Sequence, residues 1–160
     1  MAEGVEKAIL KNINLKHALS QMYGRLAEKA EKGGAQAIFH SLMLDEERNA
    51  YLLTYAYRRL FPDSRTPATD ALDQADFMKK HTSDKKFNSR VEEVYHYILK
   101  HIQLESEVTK DYRNLRYLIE DVETKKIFAE LIRDEDRHHA ELSMMKQAFE
   151  NMYAKILHLQ

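Results

Sequence analysis

Residues 133–142 read RDEDRHHAEL and residues 44–53 read LDEERNAYLL. Both contain Asp-Glu-x-Arg and both end on leucine, but His138 in one copy stands where the other has Asn49. The likeness extends outward from these phrases. At an offset of 89 residues, Ile9, Leu10, Lys11, Ile13 and Leu15 fall on Ile98, Leu99, Lys100, Ile102 and Leu104. Tyr23, Leu26 and Glu31 fall on Tyr112, Leu115 and Glu120, and Ile38, Phe39 and Leu42 fall on Ile127, Phe128 and Leu131, all without a gap. Any two amphipathic helical segments share apolar positions. The polar matches Asp45/Asp134, Glu46/Glu135 and Arg48/Arg137 are harder to obtain that way, so the chain reads as an internal repeat.

Each copy spans two helices. Only four glycines and two prolines are present, and they fall where long helices must stop. Gly33 and Gly34 follow AEKAEK, while Pro62 and Pro67 open a polar stretch. Ser89 with Glu92 reads as a capping box, and a break at Glu120 and Asp121 begins the last helix. The pattern predicts four long helices over residues 3–31, 35–61, 89–119 and 122–157, with a possible short helix around 69–80. Short links join the first pair and the last pair. The expected fold is all-α: a four-helix bundle, one domain over 1–160, made of two repeated helical hairpins (3–61 and 89–157) and a long crossover (62–88), the ferritin-like topology.

Composition narrows the chemistry. The 160 residues carry 25 Lys+Arg against 26 Asp+Glu, a net charge of −1, which describes a mixed-sign surface and does not call for nucleic acid or membrane as partner. With no cysteine there is no disulfide, no thiolate metal site and no catalytic thiol. The opening MAEGVEKAILKN is charged and helical in pattern, so a cytoplasmic protein is expected. No Gly-rich phosphate loop, G-x-S-x-G elbow or H-E-x-x-H occurs. The lysines at 79, 80, 85 and 86 form a basic patch that reads as a solvated part of the crossover.

Polar residues interrupt the apolar faces. In the fourth long helix the stripe runs Ile127, Leu131, Leu142, Met145, Phe149, Met152 and Ile156, with Glu135 and His138 completing it. In the second, Glu46 and Asn49 lie within Ile38, Leu42, Leu53, Ala56 and Leu60. In the third, Glu105 sits among Val94, Ile98, Ile102, Val108, Tyr112, Leu115 and Ile119. In the first, Lys16 sits among Ile9, Ile13, Leu19, Tyr23 and Leu26. A buried carboxylate needs a cation or a pair, and Glu135-x-x-His138 offers oxygen and imidazole one turn apart on one face, as a divalent transition metal requires. His101 reads as packing, His17 and His139 as solvent- or helix-facing.

The pattern resembles the rubrerythrin-related branch of the ferritin-like di-iron carboxylate proteins, in which helices 1 and 3 each give a glutamate and helices 2 and 4 each give Glu-x-x-His. Glu105, with Tyr112 seven residues on, and Glu135 with His138 match that pattern. In the first copy Lys16 stands seven residues before Tyr23 where the glutamate belongs, and Glu46-x-x-Asn49 has lost its histidine. The resemblance implies metal binding and a possible oxidoreductase acting on peroxide, oxygen or ferrous iron, without haem and without a rubredoxin centre. Four glutamates would balance two divalent ions, whereas three glutamates and a lysine balance one. One ion is therefore expected, iron first with manganese or zinc as alternatives, on Glu105, Glu135 and His138 with Glu46 as fourth or bridging ligand. Lys16 would replace the missing ion, Asn49 would contribute hydrogen bonds, and Tyr23 and Tyr112 would orient the carboxylates. A homodimer is expected, with the redox partner open. The competing expectation is a metal-free structural or interaction bundle with a buried charged layer.

Overall fold

The computed structural model describes residues 2–30, 33–82 and 85–159. Among them are five helices and no strand: α1 (Ala2–Lys29), α2 (Gly34–Leu60), α3 (Ala71–His81), α4 (Arg90–Leu118) and α5 (Val122–Met152). The long helices are α1, α2, α4 and α5, and the short helix in the crossover is α3. Glu31, the predicted end of the first helix and the partner of Glu120 in the repeat, lies outside the described residues.

Local chemistry sets the boundaries. Gly33 precedes α2 at φ 143°, a backbone region that favours glycine. The Asp70 carboxylate accepts the amides of Leu72 and Asp73 at the start of α3, Ser89 Oγ accepts from Glu92 N at 3.1 Å at the start of α4, and Asp121 accepts from Thr124 N at 2.9 Å at the start of α5. The capping box is completed one residue early: Glu92 accepts from Asn88 N at 3.4 Å. The expected run of the last helix to 157 is corrected, since α5 ends at Met152 and turns follow. Phe149 is the last member of its stripe packed on the core, and Met152 and Ile156 are exposed, so no burial favours further helix.

Helix α1 packs along α2 and α4 along α5, while α2 also meets α5 and α1 meets α4, so the four long helices close a ring. One core runs through it, from Ile9, Ile13 and Leu19 across Phe39, Leu42 and Leu53 to Ile98, Val108, Phe128, Leu131 and Leu142. Gly24 marks a close approach of α1 and α2, because a Cβ there would lie 3.1 Å from Met43 Sδ. Helix α3 seats on α1 through Met78, which packs with Ala18 and Met22. The buried Asn14 carbonyl oxygen fixes that seat by accepting from Asp70 N at 2.7 Å and Gln74 Nε2 at 3.3 Å.

The repeated aspartates and arginines find their use here. Arg137 of α5 donates to Asp45 of α2 at 2.8 Å, and Arg48 of α2 pairs with Asp134 of α5. Each phrase supplies the acceptor for the other's donor, which sets α2 against α5 at one level. No helix among the described residues is long and apolar enough to cross a membrane.

Candidate metal centre

Three long helices place Glu46 (α2), Glu105 (α4), Glu135 and His138 (α5) in one fully buried group, and one ligand atom from each lies within 4.8 Å of the others. These are the four residues expected from the sequence as ligands. Leu42, Leu53, Leu131, Leu142, Ile98 and Val108 belong to the same apolar core. In such surroundings unpaired charge is strongly disfavoured.

Lys16 supplies the opposing charge. Its side chain comes from α1 with no solvent exposure, and Nζ lies 2.8 Å from Glu46 Oε2 and 3.5 Å from Glu105 Oε2, and contacts Glu135 Oε1. Burial opposes the ammonium form, but Glu105, Glu135 and Glu46 outweigh it and hold Lys16 well above the usual lysine range. The aliphatic stem does not carry the charge outward to water.

His138 is oriented by a residue to which the sequence reading gave no role in the site. Asp45 Oδ2 lies 3.2 Å from Nε2, and Nδ1 faces Glu46 Oε1 at 3.1 Å and Glu105 Oε1 at 4.0 Å. Burial works against the imidazolium, yet the hydrogen bond it donates to Asp45 and the facing Glu46 carboxylate prevail and raise His138 to about 9. Asp45 is itself held below the usual carboxylate range by His138, with Arg137 assisting. The signal for it was present in the sequence, as the aspartate preceding each repeated glutamate.

The three acids differ from one another. Burial would raise all of them. Lys16 overcomes this at Glu105, which stays ionised well below the usual range and also accepts the Tyr23 hydroxyl at 2.8 Å. At Glu135 burial and the Glu105 charge prevail, and the same pair of causes raises Glu46. A proton held among the acids therefore belongs on the Glu135 and Glu46 side.

Two expected roles have no hydrogen bond behind them. Asn49 is fully buried, but neither its amide nitrogen nor its oxygen has a hydrogen-bond partner, so it contributes no hydrogen bonds to the group. Tyr112 is fully buried with its hydroxyl unpartnered. Both follow from the changes in the first copy. At the repeat offset, Tyr112 corresponds to Tyr23 and Lys16 to Glu105, so the acceptor that Tyr23 enjoys is missing for Tyr112. Lys16 Nζ instead stands 5.7 Å from the centre of the Tyr112 ring, a cation on an aromatic face. His101 is buried against Tyr23, His17 Nδ1 lies 3.4 Å from Glu47 Oε1, and His139 is exposed.

The four side chains could hold a metal ion. With Asp45 on Nε2, His138 keeps Nδ1 for the interior, and Glu135 Oε2 has no hydrogen-bond partner. Compared with protein-family models, with curated proteins and with solved structures, the chain matches none.

Proposed function

We propose that the protein is a ferritin-like, rubrerythrin-related bundle of two repeated hairpins that binds one divalent transition metal ion, iron first. The observation that carries this reading is the convergence of Glu46, Glu105, Glu135 and His138 inside 4.8 Å with no exposed member. Glu105, Glu135 and His138 would hold the ion, with Glu46 as fourth or bridging carboxylate, Asp45 would fix the imidazole, and Lys16 would remain as the resident cation. Three carboxylates against one ammonium leave two negative charges, which one divalent ion cancels. Bound iron or manganese would supply one-electron redox chemistry. Peroxide, dioxygen and ferrous iron are the substrates this reading implies. A single ion stores fewer electrons than a close pair, so ion binding comes first and turnover second. A homodimer through the outer face of α2 would cover Leu44, Tyr51 and Tyr55, which are exposed along one side of that helix.

One observation favours a second reading, a metal-free bundle with a buried charged layer. Lys16 Nζ already stands against all three carboxylates. With His138 as imidazolium and one proton on the Glu135 side, the group reaches neutrality without metal. Elemental analysis after anaerobic loading with ferrous iron and removal of loose ions decides between the two. About one ion per chain, lost in Glu135→Ala, is the expected result for a single divalent charge balance. No retained ion would establish the metal-free reading, and two would overturn the role of Lys16.

A further inference from the structure

His101 is fully buried on α4, and neither ring nitrogen has a hydrogen-bond partner. Buried polar groups nearly always have one, so an imidazole with both nitrogens unmet is addressed to something else. Its ring packs 4.4 Å from that of Tyr23, and it lines a cavity of about 60 Å³ whose apolar wall includes Met22 and Leu26. At roughly 10–15 Å³ for each water-sized group, the space admits about four heavy atoms.

The unpaired charge on the wall of this cavity is positive. Arg25 and Lys29 lie on its wall, and Arg25 has no carboxylate partner among the described residues, whereas Lys29 is paired with Glu93. Lys100 adds positive character toward His101. The opposing charge that reaches the ring is Glu105, which Lys16 and the Tyr23 hydroxyl already compensate. Burial lowers His101 to about 4, so at neutral pH the ring is uncharged and has one N–H to donate. Thr82 closes the wall, with its hydroxyl already committed to Met78 O at 2.6 Å.

We propose that the cavity beside His101 is a binding site for a small monovalent inorganic anion of three or four heavy atoms, azide- or nitrite-sized, held by the His101 N–H and the Arg25 guanidinium. A neutral guest of that size would leave the Arg25 charge unused, and a cation would meet Arg25 and Lys29. The site is separate from the carboxylate group and stands whether or not that group takes a metal ion. Through the Tyr23 ring it lies one side chain from Glu105.

The test follows the His101 ring nitrogens by NMR in the 160-residue chain during titration with sodium azide, replacing chloride at constant ionic strength. The expected result is a saturable shift, unchanged after chelator treatment. It should weaken about tenfold in Arg25→Gln, which loses a charge-assisted hydrogen bond, and stay unaltered in the charge-matched exposed control Arg116→Gln. Arg25 is exposed, so its replacement does not threaten folding. A shift that never saturates, or equal weakening in both variants, would overturn the proposal as general charge screening. Loss of the response after chelation would overturn it by placing the azide on a metal ion.

Discussion

On their facing rims the α1–α2 and α4–α5 pairs are interchangeable, with Arg48 reaching Asp134 as Arg137 reaches Asp45. In the interior they part. The α4–α5 pair presents Glu105, Glu135 and His138, while the α1–α2 pair presents Glu46 beside Lys16 and Asn49; both amide atoms of Asn49 and the Tyr112 hydroxyl have no hydrogen-bond partner, and neither has Glu135 Oε2. Half-exposed ion pairs contribute little to stability but set register, and register survives changes in what is buried. The comparison shows how two helical pairs can share matched ion pairs on their rims while their buried residues differ.

Making the two pairs alike is the most drastic way to break the comparison. Lys16→Glu with Asn49→His should raise metal content from about one ion to about two per chain, the charge balance of four glutamates. If the double variant folds and still holds one or none, the first pair is not a depleted copy of the second. Next in size is Lys16→Met. In the metal-free chain it strips three buried acids of their shared cation and should lower stability by about 3–5 kcal/mol in urea unfolding. An unchanged midpoint would mean that the ammonium is not the resident counter-ion.

Acidity sharpens the comparison at His138, which has no counterpart at Asn49. The folded imidazole is raised to about 9 from the unfolded value of about 6.5. Its stabilising contribution is therefore complete below pH about 6.5 and lost as pH rises through about 9, on the order of 3 kcal/mol in the metal-free chain. An ion needs the neutral ring, so metal affinity should move the other way and increase with pH. A stability curve equally steep in His138→Asn would refute the assignment. The smallest effect compares the two tyrosines. Tyr23→Phe deletes a hydroxyl donating to an ionised carboxylate and should cost about 1.5–3 kcal/mol, whereas Tyr112→Phe removes an unpartnered hydroxyl and should be close to neutral or stabilising. Equal losses in thermal unfolding would show that Tyr112 has an acceptor after all.

Much of this was legible in the chain itself because apolar spacing and polar repetition are local signals. The four long helices and the convergence of Glu46, Glu105, Glu135 and His138 follow from stripes with polar gaps, and the short helix in the crossover reads as a possible helix around 69–80. What escaped depended on three-dimensional neighbours. The last helix stops at Met152 because its stripe outruns the core. The partnering of Asp45 with His138 is set across two helices 93 residues apart. The lack of hydrogen-bond partners for Asn49 and Tyr112 is a matter of distances, which residue type does not reveal. The polarity of Asn49 suggested hydrogen bonds that its surroundings do not offer.

Lys16 also has a consequence in time. It is the only buried lysine among the described residues, and an amine protonated and sealed from water is shielded twice from acylating reagents. The other lysines among the described residues would be modified by direct encounter with the reagent, whereas Lys16 would be modified only during the brief intervals when the bundle opens. Its labelling would then count those openings, making this one side chain a built-in clock for how often the molecule comes apart.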